Sequence, residues 1–130
     1  MRALSFALAA LALSGPAAFA QTVPAELQGQ WAGDGRQRGG SQWYLNIEIG
    51  PETGVAFYPD DQCTARWVFT PDSNPFPFPT ASGHEEIVTW HERCIDGLGL
   101  FLRIGEAGHL VVEWRGEDGI PIAIGLLARG

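Results

Sequence analysis

The chain contains no lysine, and all eight of its basic residues are arginines. Schiff-base chemistry and Ser–Lys catalysis both need a lysine amine, so both are excluded. The one methionine is Met1. Once that residue is lost, a soft groove lined by methionine is excluded as well. Base is scarce against acid, with 15 acidic residues and a net charge of −7. Nucleic acid and anionic membrane surfaces need a basic patch, so neither is an expected partner. The acidity suits a basic protein partner, and it also serves as ordinary solubilising charge. Outside the first twenty residues serine occurs only at Ser41, Ser73 and Ser82, and none lies in a Gly-x-Ser-x-Gly elbow. No stretch beyond them has the period of an amphipathic helix.

What is present begins with an export signal. Arg2 supplies a positive start, Ala3 to Leu13 is an apolar run broken only by Ser5, and Gly15-Pro16 breaks the helix. Ala18-Phe19-Ala20 is a small-x-small cleavage site. The apolar run is too short to cross ~30 Å of hydrocarbon as a helix. Residues 1–20 are therefore expected to be removed. Residues 21–130 are expected to form one periplasmic or secreted domain of about 110 residues, with no membrane insertion after cleavage. In that compartment the two cysteines, Cys63 and Cys94, read as one disulfide. It would close a loop of about 32 residues and contribute roughly 3–4 kcal/mol in the chain-entropy model. No Cys-x-x-Cys pair exists to suggest redox or metal chemistry.

The rest alternates apolar and polar residues with period two, the pattern of half-buried strands. Trp43, Leu45, Ile47 and Ile49 lie on one face, and Ala65, Trp67 and Phe69 on another. Residues 54–58 and 85–92 add further strands, the latter with Ile87 among acids. Leu98, Leu100, Leu102 and Ile104 precede a hairpin loop at Gly105–Gly108. Leu110, Val112 and Trp114 precede another at Gly116–Gly119, and Ile120, Ile122, Ile124 and Leu126 close the series. With a first strand at Trp31, this predicts an all-β fold of about eight antiparallel strands in a meander. Closing it into a small barrel removes exposed sheet edges, and a sandwich is the alternative. The expected core includes Trp31, Trp67, Leu100, Leu102, Val112, Trp114 and Ile124, with Trp43 or Tyr44. Strands apolar on both faces and abundant Trp and Phe favour a filled interior.

Thr70–Gly83 breaks the regularity. Its four prolines cannot donate to a ladder, which predicts a loop or polyproline stretch. Pro75, Phe76, Pro77 and Phe78 form a candidate partner-binding element, because proline pre-sets the backbone around each ring. The alternative is that both rings fold back as a lid on the sheet.

Candidate chemistry is thin. His84 and His91 are seven apart and point to opposite faces of one regular strand, and His109 sits beside a turn. His84 shares a face with Glu86, and Glu85 with His91, but two ligands do not make a metal site. Glu85 and Glu86 diverge. Glu86 and Glu92 would stand about 20 Å apart on one strand, beyond the ~5–10 Å of a glycosidase pair. Gly33-x-Gly35 lacks the context of a dinucleotide loop and reads as a turn flanked by solvated Arg36 and Arg38. No catalytic residue, metal or cofactor is expected, and the chain is not expected to be an enzyme.

Several segments carry a resemblance. They are Gly29-Gln30-Trp31-Ala32-Gly33, Tyr58-Pro59-Asp60-Asp61-Gln62-Cys63, Glu85-Glu86-Ile87, Arg93-Cys94-Ile95-Asp96-Gly97, Leu110 to Trp114, and Leu126-Leu127-Ala128-Arg129. Together they resemble a poorly characterised family of small bacterial β-domains, often exported or fused to signalling domains. The family often has glycines after its first cysteine, where Thr64-Ala65 stands here, and the proline-rich loop looks like an insertion. No catalytic residues come with it. The Gly-x-Trp opening and late Arg129 also resemble calycins, the lipocalin-like barrels, in which that arginine lies over that tryptophan. This barrel type includes exported inhibitors of bacterial metalloproteases. The expected function is therefore a non-enzymatic exported barrel, monomeric, that binds a protein or small ligand. The alternative is an inhibitor of an exported hydrolase, protease or lysozyme. A filled interior with exposed Phe76 and Phe78 would favour a protein partner, and an open apolar cavity a small ligand.

Overall fold

Period-two alternation becomes a single closed sheet. The computed structural model describes residues 22–71, 74–89 and 92–130. The segment expected to be an export signal, residues 1–20, lies outside the described residues, as do Ser73 and His91. Eight antiparallel strands follow one another around the barrel. They are β1 (Gly29–Gln37), β2 (Gln42–Ile49), β3 (Thr53–Tyr58), β4 (Cys63–Phe69), β5 (Thr80–Thr89), β6 (Gly99–Ile104), β7 (Leu110–Arg115) and β8 (Pro121–Arg129). Closure is made by β1 against β8, from Trp31 opposite Arg129 to Gln37 opposite Ala123. Among the described residues no long sheet edge is left for another chain to extend. The disulfide is formed between Cys63 and Cys94, with Cα atoms 6.6 Å apart. Among the described residues no helix is long and apolar enough to cross a membrane.

The interior is filled by indoles. Trp31, Trp67 and Trp114 are almost fully buried, together with Leu45, Leu100, Leu102, Val112 and Leu127. Trp67 and Trp114 meet edge to face at 6.2 Å, and Trp114 meets Trp43 in the same way at 5.7 Å. These geometries suit the aromatic quadrupole.

Glycines make the room. A Cβ at Gly35 would sit 2.5 Å from the Trp43 ring, and one at Gly125 would sit 2.9 Å from the Trp114 ring. Gly35 and Gly125 face each other across β1 and β8, so they form a shallow trough for the two rings. This overturns two expectations. Gly33-x-Gly35 is not a turn but the middle of β1. Ile124 is not in the core but 52% exposed, while Ala123, Gly125 and Leu127 face inward. Trp114 already occupies the space over β8, so only small residues fit beneath it, and the larger Ile124 and Leu126 point outward. A third correction concerns Thr80–Gly83, which opens β5 rather than ending the loop.

A meander puts alternate turns at opposite ends. One end, carrying the β2–β3, β4–β5 and β6–β7 turns, is closed by residues 22–28. Val23 and Leu27 are fully buried there, around a single 3₁₀ turn at Ala25–Leu27. Trp31 Nε1 donates to the Leu27 carbonyl at 3.0 Å. The Arg129 guanidinium lies 4.0 Å over the Trp31 ring and donates to the carbonyls of Gln28 and Glu26. The stacking implied by the calycin resemblance is thus present, and it ties residues 26–31 to the end of β8. Arg129→Lys keeps the charge but loses the planar fork and the stack. It is expected to lower stability by about 1–2 kcal/mol, read as a shift in urea midpoint at unchanged slope.

Candidate functional site

Two regions at opposite ends of the barrel are candidates. The first is the β4–β5 loop at the closed end. Asn74 organises it: its Oδ1 accepts from the Phe76 amide at 3.1 Å and the Thr80 hydroxyl at 2.7 Å, and its Nδ2 donates to the Phe78 carbonyl at 3.2 Å. Pro75 and Pro77 restrict the backbone around Phe76. The Phe76 and Phe78 rings stack at 5.1 Å, and Phe76 meets Phe101 edge-on at 5.9 Å. Phe101 alternates with the buried Leu100 and Leu102, so it faces outward on β6. Arg115 in turn lies 4.7 Å over the Phe101 ring. Neither loop phenylalanine enters the core, and they remain 43% and 46% exposed. The result is a small ordered aromatic patch on the outer wall.

The second region is the open end, where the β1–β2, β3–β4, β5–β6 and β7–β8 turns gather. Two register shifts, at Thr64/Ala65 and Trp114/Arg115, lie on strand ends at this mouth, where bulges commonly re-aim side chains. A cleft of about 140 Å³ enters the barrel here, walled by Trp43, Trp114 and Tyr58 and reaching Glu85. Asp61, Gln37 and Arg93 stand along it, and Leu98, Ile122 and Cys94 complete its apolar side. The disulfide and three backbone-directed bonds hold residues 94–98 over this side. Those bonds are Ile87 N–H to Asp96 Oδ1 at 2.8 Å, Gly97 N–H to the Glu85 carbonyl at 2.9 Å, and Glu85 N–H to the Leu98 carbonyl at 2.8 Å.

Glu85 is the unexpected member. It is 3% exposed. Its Oε2 accepts from the Tyr58 hydroxyl and, at 2.8 Å, from Trp67 Nε1. Burial pushes its carboxyl above the ordinary range, while the hydrogen bonds from Tyr58 and Trp67 oppose that rise and nearby Asp96 adds to it. Burial first, and the Glu85 charge second, hold the Tyr58 phenol well above its usual value, so it remains a donor. Sequence reading placed Glu85 and Glu86 on diverging faces but did not place Glu85 inside. A signal existed: Glu85 has the parity of Ile87, and both face inward on β5. Glu86 faces outward beside His84 at 3.0 Å and Arg66 at 3.7 Å, an exposed cluster that adds little stability. Among the described residues no group of three or more His, Cys, Asp or Glu side chains is placed to hold a metal.

Comparison with protein-family models, curated proteins and solved structures finds no match to this chain.

Proposed function

We propose that the chain is an exported, non-enzymatic β-barrel that binds a protein partner through the β4–β5 loop. The observation that carries this reading is the stacked Phe76–Phe78 pair, held ordered yet about half exposed on the outer wall. Exposed aromatic surface on a rigid scaffold suits an interaction site, and rings already fixed by the Asn74 bonds lose less entropy on binding. The indole-filled interior leaves little room for a ligand of drug size, which takes a pocket of about 300–1,000 Å³. The disulfide suits an oxidising compartment, and the segments resembling small exported bacterial domains suit it too. Tyr58, Trp67 and Glu85 converge, but on one another, and Tyr58 stays a donor. That arrangement supports a structural rather than a catalytic role.

The test is capture from a periplasmic extract, followed by a double substitution of Phe76 and Phe78 to alanine. Both rings lie outside the core, so the melting temperature is expected to change little while capture of the identified partner is lost. A clear fall in melting temperature with capture intact would reject the loop as the binding element. If the captured partner is an exported protease or lysozyme, an activity assay with the pure protein separates inhibition from mere association.

A further inference from the structure

We propose that the outer face of β8, with β1 beside it, is a self-association surface on which a second copy of this chain docks antiparallel about a two-fold axis. The sequence suggests a monomer, and this face argues instead for a weak dimer. Phe101, against which Phe76 rests, lies two strands away on β6. The proposal stands independently of the reading given for the aromatic loop.

The first observation is an uncovered apolar strip. Ala123, Gly125 and Leu127 take the inward positions of β8, so Ile124 and Leu126 stand on the outer wall, 52% and 56% exposed. Ala128 continues the strip, and Ala32 lies opposite it on β1, so nothing bulky rises beside Leu126 on that side. Because the barrel is closed, a second copy can meet this wall only through side chains and not by extending the sheet. Two aliphatic side chains carried by one rigid strand bury apolar area at little cost in chain entropy.

The second is unmatched charge beside that strip. On β1, Arg36 lies opposite Ile124 and Asp34 opposite Leu126. Both are exposed, since Trp31 and Gly35 take the inward positions. Two residues apart on a strand, they stand about 7 Å from each other along the backbone. Neither forms an ion pair with the other or with any other described residue. The Arg36 guanidinium makes only a long contact, 3.5 Å, to Gln42 Oε1.

The third is the symmetry of the pattern. Gly35 and Gly125 face each other across β1 and β8, midway between Asp34 and Arg36 and between Ile124 and Leu126. In a two-fold contact residue i meets residue j and j meets i. An axis along the Gly35–Gly125 line sets Ile124 against the second copy's Leu126, and Asp34 against the second copy's Arg36, each of them twice. Both apolar side chains are then covered and both charges find their opposite. The occupant follows from the same pattern. A strongly basic partner would leave Arg36 facing its own sign, and a strongly acidic one would do so to Asp34. The net charge of −7 makes two copies repel in general, and a face with both signs in balance is where they can approach. The barrel wall is convex, so contact is confined to a strip around β8 and its neighbours. An interface at the small end of the range implies a weak dimer, with a Kd of about 10 μM to 1 mM.

Sedimentation of the disulfide-bonded protein up to about 1 mM covers that range. Wild type is expected to dimerise reversibly, and more weakly as salt rises. Leu126→Asn is expected to weaken the dimer about tenfold or more, with an unchanged urea midpoint because the side chain lies outside the core. Asp34→Arg and Arg36→Asp are each expected to weaken it by a similar factor, since each sets like charges face to face. The double variant, Asp34→Arg with Arg36→Asp, is expected to regain the wild-type Kd to within about threefold, because every reversed charge meets a reversed partner. A wild-type protein that stays monomeric over the whole range would overturn the proposal, with no variant needed. A dimer unaffected by Leu126→Asn and by Asp34→Arg would use another face and overturn it too. Failure of the folded double variant to regain the dimer would reject the antiparallel axis and the proposal with it. Alanine at Phe76 and Phe78 is expected to leave the dimer unchanged, so partner capture through the loop and self-association through β8 fail separately.

Discussion

Replacing Glu85 with leucine is expected to lower stability by roughly 2–6 kcal/mol, because two buried donors lose their acceptor at about 1–3 kcal/mol each. The Tyr58 hydroxyl and Trp67 Nε1 both point at Glu85 Oε2, and Tyr58 and Trp67 are buried. Neither can turn to water without disturbing the indole column. For a domain with a typical stability of about 5–15 kcal/mol, a loss of that size is a large fraction of the whole. Glu85→Gln keeps an oxygen that can accept, so its loss is expected to be smaller.

The same substitution carries a pH signature. The folded Glu85 carboxyl titrates above its ordinary value of 4.5, mainly because it is buried. Between the ordinary and the raised value the folded state keeps the proton and the unfolded state has lost it. The unfolded state then binds fewer protons, so the Glu85 contribution falls as pH rises. It is fully present below about 4.5 and is lost as pH climbs through the raised folded value. Leucine has nothing to titrate. The stability gap between wild type and Glu85→Leu is therefore expected to be widest in acid and to narrow toward neutral pH. Urea unfolding of both proteins across a pH series gives the gap directly. A gap that widens with rising pH would mean that the donors outweigh burial and that Glu85 is held as a stabilised carboxylate.

How much of this was legible in the sequence differs from strand to strand, for physical reasons. The β2, β4, β6 and β7 strands were readable because their inward residues, such as Leu45, Trp67, Leu102 and Trp114, are large and apolar while most of their neighbours are polar. The β8 strand misled because both faces are apolar, and the larger residues, Ile124 and Leu126, are outside. Period alone gives the alternation, not which face is buried. That choice was made by the Trp114 ring lying over Gly125, a contact between β7 and β8 that no local pattern contains. Glu85 was missed for the converse reason. An acid in a strand ordinarily marks the solvent face, and only its partners on β3 and β4 reverse that. Those partners, Tyr58 and Trp67, are 27 and 18 residues away in sequence. The loop residues Phe76 and Phe78 were marked by their prolines alone. The Asn74 bonds that order them depend on side-chain directions that a sequence does not state.

The disulfide gives the second large effect. Replacing Cys63 and Cys94 together with alanine is expected to lower stability by about 3–4 kcal/mol through the entropy of the unfolded chain. The bond spans a sequence separation of 31, so it forbids the unfolded chain every conformation in which β4 and the β5–β6 loop lie far apart. In the folded state its loss changes less. The β5–β6 loop keeps Ile87 N–H on Asp96 Oδ1 and the two backbone bonds between Glu85 and residues 97 and 98. The eight-stranded pairing does not pass through either sulfur. The double variant is therefore expected to fold to the same barrel and to unfold at lower urea. Its slope should also be steeper, because an unlinked chain exposes more surface. A single transition followed by both tryptophan fluorescence and far-ultraviolet circular dichroism would satisfy the two-state condition for that comparison. A loss below about 1 kcal/mol at unchanged slope would mean that the unfolded chain already holds these segments together, which the entropic account does not allow.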